Sequence, residues 1–433
     1  MVWKAGVGHH GGMQGDDGMN AGGVPPPFQV MVKPTGPICN LDCTYCYYTE
    51  KKALYPKERR FAMKEEVLET LIRDYLAAGR DWPGRELLFS WQGGEPTLLG
   101  VDFFRRVVEL QETHRPQGKT VLNAFQTNGV LLDREWARFF KDNKFLVGIS
   151  IDGPPRLHDA NRIDVKGADS SERVLDGLKL LQEHDVEFNT LTVVSRANLR
   201  QARAVYRYLK EAGVQYMQFI PVLERLVEAG GCLAGPPVPG EDTHGQVAPW
   251  SLPPAGLGMF LCQLFDEWVA RDVGSIFVQG FDILLEQWMG QPASLCVFAE
   301  TCGQALAMEH NGDLFSCDHY VYEEHRLGNI TGAPLAQLVQ APAQKKFGLD
   351  KRENLPQFCL DCEFLRLCNG GCPKHRTQLT PDGEPGLNYF CPSYRLFFAH
   401  AAPTMEAMAE MVRAGRPAVD ALPIKSKTKK RKK

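Results

Sequence analysis

Three closely spaced cysteines near the start of the sequence are the residues best suited to chemistry. Cys39, Cys43 and Cys46 follow a short apolar segment and are separated by three and then two residues. Thiolates at this spacing suit a metal site, and both a [4Fe-4S] cluster and a structural zinc usually take four protein ligands. With three cysteines, a cluster here would keep one iron open to an outside ligand. Part of a zinc site, or a chance grouping, is the alternative.

A larger group of cysteines lies toward the C-terminus. Its eight members are Cys296, Cys302, Cys317, Cys359, Cys362, Cys368, Cys372 and Cys391. Eight thiols are sufficient for two complete four-ligand sites, and the spacing from Cys359 to Cys372 is too dense for chance. Two zinc sites are the alternative. Disulfides are disfavoured because the first thirty residues lack the apolar block of a secretory signal.

Glycine-rich and polar loops are a third candidate for chemistry. Residues 92–97 read QGGEPT, residues 126–129 read QTNG and residues 150–153 read SIDG, each after an apolar segment. Adjacent glycines let a backbone approach a ligand closely and leave its amides and carbonyls available. Turn and capping hydrogen bonds are the alternative role for Ser150 and Asp152.

The segments that position these loops alternate between strand and helix patterns about six times. The predicted strands are 28–32, 86–91, 120–125, 145–151, 187–194 and 216–221, and the predicted helices between them are 65–78, 101–111, 134–142, 170–183 and 199–212. Regular alternation predicts an α/β fold with a parallel sheet, and six units predict a partial (β/α)6 barrel. The cysteine loop and the polar loops all follow strands, where barrels of this kind carry their chemistry.

The cysteine motif, with Tyr45 before its last cysteine, resembles that of the radical S-adenosylmethionine (SAM) superfamily. The resemblance implies a [4Fe-4S] cluster on Cys39, Cys43 and Cys46 whose open iron binds SAM, which one electron then cleaves to a 5′-deoxyadenosyl radical. It also implies a set of SAM contacts. These are Tyr45, Gly94, Ser150, Arg162 and Leu223. A solvated charge is the alternative for Arg162, and an ordinary core position is the alternative for Leu223.

The eight C-terminal cysteines resemble the SPASM extension of radical SAM enzymes that modify peptides. This resemblance implies two auxiliary [4Fe-4S] clusters, and so three clusters in the whole chain. Their ligand sets are Cys296, Cys302, Cys317 and Cys372 for the first and Cys359, Cys362, Cys368 and Cys391 for the second. Cys262 is expected in the core of a helix at 257–270, and Cys232 has no assigned role.

The run Cys317-Asp318-His319-Tyr320, together with Phe145–Gly148 and the cysteine spacing, resembles the anaerobic sulfatase-maturing enzymes. This resemblance implies oxidation of a Cys or Ser side chain of a sulfatase to Cα-formylglycine, with Asp318 as the proton acceptor. A flavodoxin- or ferredoxin-like protein is the expected electron donor. A maturase of another peptide and a non-catalytic iron–sulfur electron-transfer protein are the alternatives.

Composition and charge set the remaining expectations. The chain has 433 residues and a net charge of −3, and seven basic residues lie between 425 and 433. The acidic remainder argues against nucleic acid as a partner, and no apolar run is long enough to span a membrane. Oxygen-sensitive clusters favour the cytoplasm, and we expect a monomer. The expected domains are a disordered 1–27, a barrel at 28–254 with a Gly/Pro-rich surface loop at 224–254, a SPASM domain with its linker helix at 255–400, and a terminal helix (405–413) and basic tail at 401–433.

Overall fold

The computed structural model describes residues 25–227, 232–236 and 246–422 of the chain. Of the disorder expected over residues 1–27, residues 1–24 lie outside the described residues, as does the basic tail after residue 422. Residues 25–27 are described, and the indole nitrogen of Trp82 donates to the carbonyl oxygen of Pro25 at 2.9 Å, so the ordered chain begins earlier than expected. The strands are β1 Gln29–Lys33, β2 Glu86–Trp91, β3 Thr120–Thr127, β4 Leu146–Ser150, β5 Phe188–Val194, β6 Tyr216–Pro221, β7 Arg225–Leu226, β8 Gln246–Val247, β9 Phe277–Val278, β10 Ala305–Glu309, β11 Asp313–Phe315, β12 Arg326–Asn329, β13 Gln378–Leu379 and β14 Pro385–Leu387.

One sheet of ten strands dominates the described part of the chain, in the order β12-β11-β10-β1-β2-β3-β4-β5-β6-β9. Strands β1 to β6 are parallel throughout. The helices are α1 Glu65–Ala78, α2 Val101–His114, α3 Arg134–Asp142, α4 Pro155–His158, α5 Ser171–Glu183, α6 Ala202–Glu211, α7 Gly256–Arg271, α8 Gln279–Trp288, α9 Leu335–Val339, α10 Pro342–Glu353, α11 Gln357–Leu360, α12 Leu365–Cys368 and α13 Cys391–Arg413. Because α1, α2, α3, α5 and α6 connect successive parallel strands and α7 follows β6, the structure confirms the predicted partial barrel.

Helix α1 shows how the sequence pattern positions these elements. Its apolar residues Val67, Leu71 and Tyr75 recur every four positions and are buried. This spacing places them on one face of an α-helix, which packs on the sheet. The hydroxyl of Tyr75 donates to the carbonyl oxygens of Phe28 and Leu88, at 3.2 and 3.0 Å, and so connects the helix to the segments of β1 and β2.

The cysteine-rich segment continues the barrel sheet. Strand β10 pairs with β1 in parallel over five residues, and β11 and β12 extend the sheet in antiparallel fashion. The domain boundary expected between residues 254 and 255 stays a prediction, but backbone hydrogen bonds cross it. Since β1 leads into the Cys39 loop and β11 leads into Cys317 and Asp318, this pairing brings the two halves of the site together.

Two expectations about local structure are wrong. Residues 224–254 are not simply a surface loop, because β7 pairs with β8 and both Ala248 and Leu252 are fully buried; residues 228–231 and 237–245 lie outside the described residues. The last helix is α13, which begins at Cys391 rather than at residue 405. Pro403 lies inside this helix. Because proline normally interrupts a helix, the sequence predicts a helix that starts only after it.

Within the described ranges, none of the helices combines the length and the apolar character that crossing a membrane requires.

Candidate active site and cluster sites

The loop that carries the first three cysteines is fastened to the segment that follows β4. The backbone amides of Asp42 and Thr44 donate to the carbonyl oxygens of Ile163 and Asn161, at 2.8 and 3.0 Å. The hydroxyl of Thr44 also donates to the side-chain oxygen of Asn161 at 2.7 Å. A turn within the loop, from the amide of Cys46 to the carbonyl of Cys43, holds the last two cysteines together. Backbone hydrogen bonds to residues 161 and 163 therefore fix the position of the loop.

The three thiols of this loop have the chemistry of cluster ligands. Burial raises the pKa of Cys39 to about 12, with Glu95 and the other two thiols adding to the effect. Burial likewise raises the pKa of Cys43 to about 12. The backbone amide of Leu41 donates to the sulfur of Cys39 at 3.3 Å. Half-buried thiols with an amide donor fit a metal cluster, whose positive irons stabilise the thiolate form.

Gly94 allows the loop after β2 to contact the cysteine loop directly. A Cβ atom at this position would lie 1.9 Å from the carbonyl oxygen of Ile38, the residue before Cys39. The amide of Gly94 donates to the carbonyl of Gly36, and the amide of Glu95 donates to that of Ile38, at 2.8 and 2.9 Å. Gly94 thus has a structural role that the sequence did not reveal, and its contact with SAM stays a prediction.

Glu95 connects the loops after β2 and β3 from inside the protein. Its side chain is fully buried and accepts hydrogen bonds from the hydroxyls of Thr97 and Thr127, at 2.7 and 2.9 Å. It also accepts from the backbone amide of Asn128 at 2.7 Å. The side chain of Asn128 in turn donates to that of Asn40 at 2.7 Å, which lies next to the first cysteine. The carboxylate therefore sets the position of the cysteine loop through two neighbouring loops.

Tyr45, Asp152 and Arg162 form one buried group at the end of β4. The hydroxyl of Tyr45 donates to the carboxylate of Asp152 at 2.5 Å, and Nε of Arg162 lies 3.1 Å from the same oxygen. The guanidinium also lies over the Tyr45 ring, 5.5 Å from its centre. Burial opposes the charge of Arg162, but Asp152 outweighs it and raises the pKa above its usual range. The structure thus shows a carboxylate partner for Arg162, and binding of SAM by Tyr45 and Arg162 stays a prediction.

Ser150 and Leu223 occupy the strand ends at which SAM contacts are predicted. Ser150 is the last residue of β4, and Leu223 lies two residues beyond β6. Both side chains are buried. Their positions agree with the expected loops at the carboxyl ends of the strands, and their contacts with SAM stay predictions.

Asp318 is held by two residues from the opposite end of the sequence. Its two carboxylate oxygens contact the ammonium of Lys33 and the hydroxyl of Tyr47. Lys33 is the last residue of β1 and is 2% exposed, while Tyr47 directly follows Cys46. Burial alone would raise the pKa of Asp318, but Lys33 and His319 lower it to about 2. Asp318 is therefore an ionised carboxylate beside the loop that carries the first three cysteines.

Lys33, Tyr47 and Glu95 are site residues that the sequence did not identify. Tyr48 is a further example, since its hydroxyl donates to the buried carboxylate of Glu309 at the end of β10. The available signal was a lysine that closes an apolar strand and a run of tyrosines after the cysteines. Neither pattern specifies a partner, because the partners of Lys33, Tyr47 and Tyr48 lie more than two hundred residues away in the sequence.

The two C-terminal cysteine sets are each brought together. Cys359, Cys362, Cys368 and Cys391 line one cavity beside Phe364 and Tyr394. In the other set, burial raises the pKa of Cys317, and the thiols of Cys296 and Cys372 raise it further. The thiol of Cys302 interacts electrostatically with that of Cys296. Ligation of clusters by these two sets stays a prediction that the grouping supports.

No group of three or more His, Cys, Asp or Glu side chains in the described residues is close enough to hold a single metal ion. A [4Fe-4S] cluster spreads its thiolates around four irons and does not require such close approach. Of the remaining cysteines, Cys262 is half-buried and packs against the core, as expected, while Cys232 is exposed.

Comparisons with known proteins identify the families that this chain resembles. Residues 34–209 match the model of the radical SAM superfamily, and residues 296–363 match that of an iron-sulfur cluster-binding domain named SPASM. The chain is 44% identical to a serine-type anaerobic sulfatase-maturating enzyme of Bacteroides thetaiotaomicron, over 88% of this chain and 91% of that protein. It is 34% identical to a cysteine-type enzyme of Clostridium perfringens, over 90% of this chain and all of that one.

Solved structures show the same likeness. The chain is similar to native anSMEcpe with bound AdoMet and a peptide, with a TM-score of 0.77 and 34% identity, over 89% of this chain and all of that one. A second match is to SuiB of Streptococcus suis bound to S-adenosylmethionine, with a TM-score of 0.57 and 16% identity, over 83% of this chain and 76% of that one. The second likeness concerns the fold alone.

Proposed function

Because this chain belongs to the anaerobic sulfatase-maturating enzymes, we propose that it oxidises a serine side chain of a sulfatase to Cα-formylglycine, with cysteine as the poorer substrate. The choice of serine is supported by the higher identity to the serine-type relative, 44% against 34%. The target lies in a segment with Pro or Ala two residues further on and Arg four residues further on. Conversion of serine to the aldehyde removes two hydrogens from the side chain.

The cofactors are three [4Fe-4S] clusters and SAM. Cys39, Cys43 and Cys46 hold the cluster that binds SAM, and the two C-terminal sets hold the auxiliary clusters. When bound, these groups supply abstraction of one hydrogen atom from the β-carbon of the target and a destination for the electron that follows. The turn that holds Cys43 and Cys46 together, and the close approach of the Gly94 backbone to Ile38 beside Cys39, support this assignment.

Asp318 accepts the proton from the hydroxyl of the target serine. One observation carries this role: Tyr47, beside the first three cysteines, donates to a carboxylate that directly follows a cysteine of the auxiliary set. This contact supports a position for the acceptor between the first three cysteines and the proposed auxiliary cluster. A base must lie within hydrogen-bond reach of the proton that it removes, and the location of Asp318 beside the cysteine loop supports this role toward a residue bound in the barrel mouth.

Lys33 and Tyr47 orient Asp318. Lys33 keeps the carboxylate ionised before the reaction, because its buried ammonium favours the charged form. Tyr47 stays a hydrogen-bond donor, because burial and the neighbouring Asp318 raise its pKa well above the usual value. Glu95 and Asp152 hold the loops on either side through hydrogen bonds to Asn128 and Tyr45.

The test uses the reduced enzyme, SAM and two peptides that differ only in the target residue, serine or cysteine. We expect 5′-deoxyadenosine and a peptide aldehyde in stoichiometric amounts, with faster formation from the serine peptide. Mass spectrometry and capture of the aldehyde by a hydrazide measure both products. Cleavage of SAM without any aldehyde would contradict the proposed substrate class, and faster reaction of the cysteine peptide would contradict only the preference.

The role of Asp318 is tested with the variant Asp318→Asn. This change keeps the shape of the side chain but removes its ability to accept a proton, so we expect 5′-deoxyadenosine without a matching amount of aldehyde. Asp382→Asn, at an exposed position between β13 and β14, is the matched control and should behave as the wild type. Equal aldehyde yields from both variants would exclude Asp318 as the acceptor.

The remaining proposals concern the setting of the reaction. Electrons for SAM cleavage come from a flavodoxin- or ferredoxin-like protein, the enzyme acts as a monomer, and the reducing cytoplasm protects its clusters. The need for an electron donor and for a reducing compartment follows from the cofactor chemistry, whereas the monomer is a separate proposal. Size-exclusion chromatography coupled to light scattering tests the monomer, and reduction by purified flavodoxin or ferredoxin tests the donor.

A further inference from the structure

Two buried cations lie at the auxiliary cluster sites. Arg376 is 9% exposed and Lys351 is 1% exposed. Among the residues that the structure describes, neither of them forms an ion pair with a carboxylate; both donate to backbone carbonyl oxygens instead. A buried charge is costly unless an opposite charge compensates it. The absence of a carboxylate at both positions therefore requires an explanation.

Lys351 lies beside the cysteines of the first auxiliary set. Its ammonium donates to the carbonyl oxygens of Cys296 and Val297, at 2.7 and 3.1 Å, and to that of Ala299. These residues form the loop that runs from Cys296 toward Cys302. The charge of Lys351 acts on the thiols of Cys296, Cys302 and Cys372, which are all members of the first set.

Arg376 lies between the two sets. Its guanidinium donates to the carbonyl oxygens of Asn369 and Gly370, at 3.1 and 3.3 Å. These two residues belong to the short turn that connects Cys368 of the second set to Cys372 of the first. The turn is unusual because Asn369, Gly370 and Gly371 all have positive φ, at 45°, 69° and 62°.

Electrostatic contacts agree with this intermediate position. The charge of Arg376 acts on Cys359 of the second set and on Cys302 and Cys372 of the first. Within the part of the chain that the structure describes, Arg376 thus interacts with thiols of both sets, whereas the thiols that interact with Lys351 belong to the first set.

A role limited to capping carbonyl groups does not account for these cations. Neutral amides cap carbonyls in the same region: Asn388 donates to Gly370 at 3.1 Å, and Gln344 donates to Gly303 at 2.9 Å. Hydrogen bonding alone therefore does not require a charge here. A [4Fe-4S] cluster with four thiolates has a net charge of about −2, or about −3 when reduced, and nearby charge is one determinant of its reduction potential.

We propose that Arg376 is the shared counter-charge of the two auxiliary clusters and raises the reduction potential of both, whereas Lys351 raises that of the first cluster alone. Arg376 would act on electron transfer indirectly. Its positive charge stabilises the reduced state of either cluster, and it does not contact substrate. The proposal rests on the cluster content of the protein and not on the identity of the peptide substrate. Its test therefore needs no substrate and can fail independently of the proposed function.

The experiment is a redox titration followed by electron paramagnetic resonance. The full chain carries Cys39→Ala, Cys43→Ala and Cys46→Ala, so that only the auxiliary clusters contribute to the signal. Arg376→Gln and Lys351→Met are compared with this parent, and Arg376→Lys tests whether charge alone is sufficient. The control is Arg352→Gln, which removes an exposed arginine of α10 that pairs with Glu300 at the surface.

We expect Arg376→Gln to make reduction of both clusters at least tenfold less favourable, a shift of about 59 mV for a one-electron couple. Lys351→Met should shift one potential only, and Arg376→Lys and Arg352→Gln should shift neither by that amount. Two unshifted potentials in Arg376→Gln would overturn the proposal, as would a shift confined to one cluster.

Iron and sulfide are counted in every variant. Loss of clusters from Arg376→Gln but not from Arg376→Lys supports a role for charge, whereas loss from both overturns it in favour of the hydrogen bonds of the guanidinium fork.

Discussion

Replacement of Gly94 by alanine tests whether the loop after β2 controls the first cluster. A Cβ atom at this position would lie 1.9 Å from the carbonyl oxygen of Ile38, 2.4 Å from its carbonyl carbon and 2.8 Å from its nitrogen. Real Cβ contacts essentially never fall below 3.0 Å, so the backbone before Cys39 must move by about 1 Å or more. The neighbour is backbone and not a flexible side chain, so rotation about a side-chain bond cannot relieve the overlap.

The expected consequence is loss of one cluster out of three. Movement of Ile38 also breaks the hydrogen bonds that its carbonyl and that of Gly36 accept from the loop of Gly94 and Glu95. A displaced Cys39 cannot complete a three-thiolate site, whereas the C-terminal cysteines lie on segments from residue 296 onward that do not include this loop. Anaerobic reconstitution should therefore give roughly eight irons per chain instead of roughly twelve, at four irons per cluster. Cleavage of SAM should be lost with the missing cluster.

The assay is an iron and sulfide count on the anaerobically reconstituted protein, with SAM cleavage measured in parallel. Gly280→Ala is the matched control, because Gly280 lies in helix α8 and a Cβ atom there would contact nothing within 4 Å. We expect this control to keep all its iron and to gain up to about 1 kcal/mol of stability from the higher helix propensity of alanine. A Gly94→Ala protein with the full iron content would refute the steric argument. Full iron with loss of SAM cleavage alone would instead assign Gly94 to SAM binding.

Three further predictions follow from buried charges near the same site. Lys33→Met should lower the aldehyde yield per 5′-deoxyadenosine formed, because Asp318 loses the cation that orients it; an unchanged ratio of the two products would contradict this role. Asp152→Asn leaves the buried guanidinium beside it without its anion and should cost about 3 to 5 kcal/mol of unfolding free energy in chemical denaturation. Asp176→Asn, from an exposed pair, should cost no more than about 1 kcal/mol, and similar losses in the two variants would be inconsistent with the buried pair. Burial lowers the pKa of His158 to about 4, so the unfolded chain binds a proton there below about pH 6.5 before the folded chain does. Stability should therefore fall as the pH drops from 6.5 toward 4, by at most about 1.4 kcal/mol per unit from this residue, and His158→Gln should remove that part of the slope.

The pattern of the barrel was predictable because its determinants are local. Alternation of strands and helices is recorded in short periodic segments, such as the buried face of α1, and each needs only its own residues to be recognised. The cysteine motifs are also local, since their spacings alone identify a three-thiol loop and a group of eight C-terminal cysteines, which the resemblance to a known family divides into two sets. The resemblance to a known family added the identity of the cofactors, which spacing does not supply.

The partners of the charged groups depended on the tertiary structure. Lys33 closes β1 and contacts Asp318 only because β10 pairs with β1, and that pairing joins segments more than 270 residues apart. Arg162 has a carboxylate partner for a different reason: α4 and the turn after it bring the guanidinium back to Asp152, and no periodic pattern encodes that return.

The sequence by itself thus identified the cysteine groups that are predicted to bind clusters and the segments that form the barrel, because both depend on spacing along the chain. The tertiary structure decided which anion each buried cation faces, and it separated Arg376, between two cysteine sets, from Lys351 at one. The physical reason is that electrostatic interactions depend on distance in space and on burial. Strand register and packing set both quantities for residues that are remote in the chain.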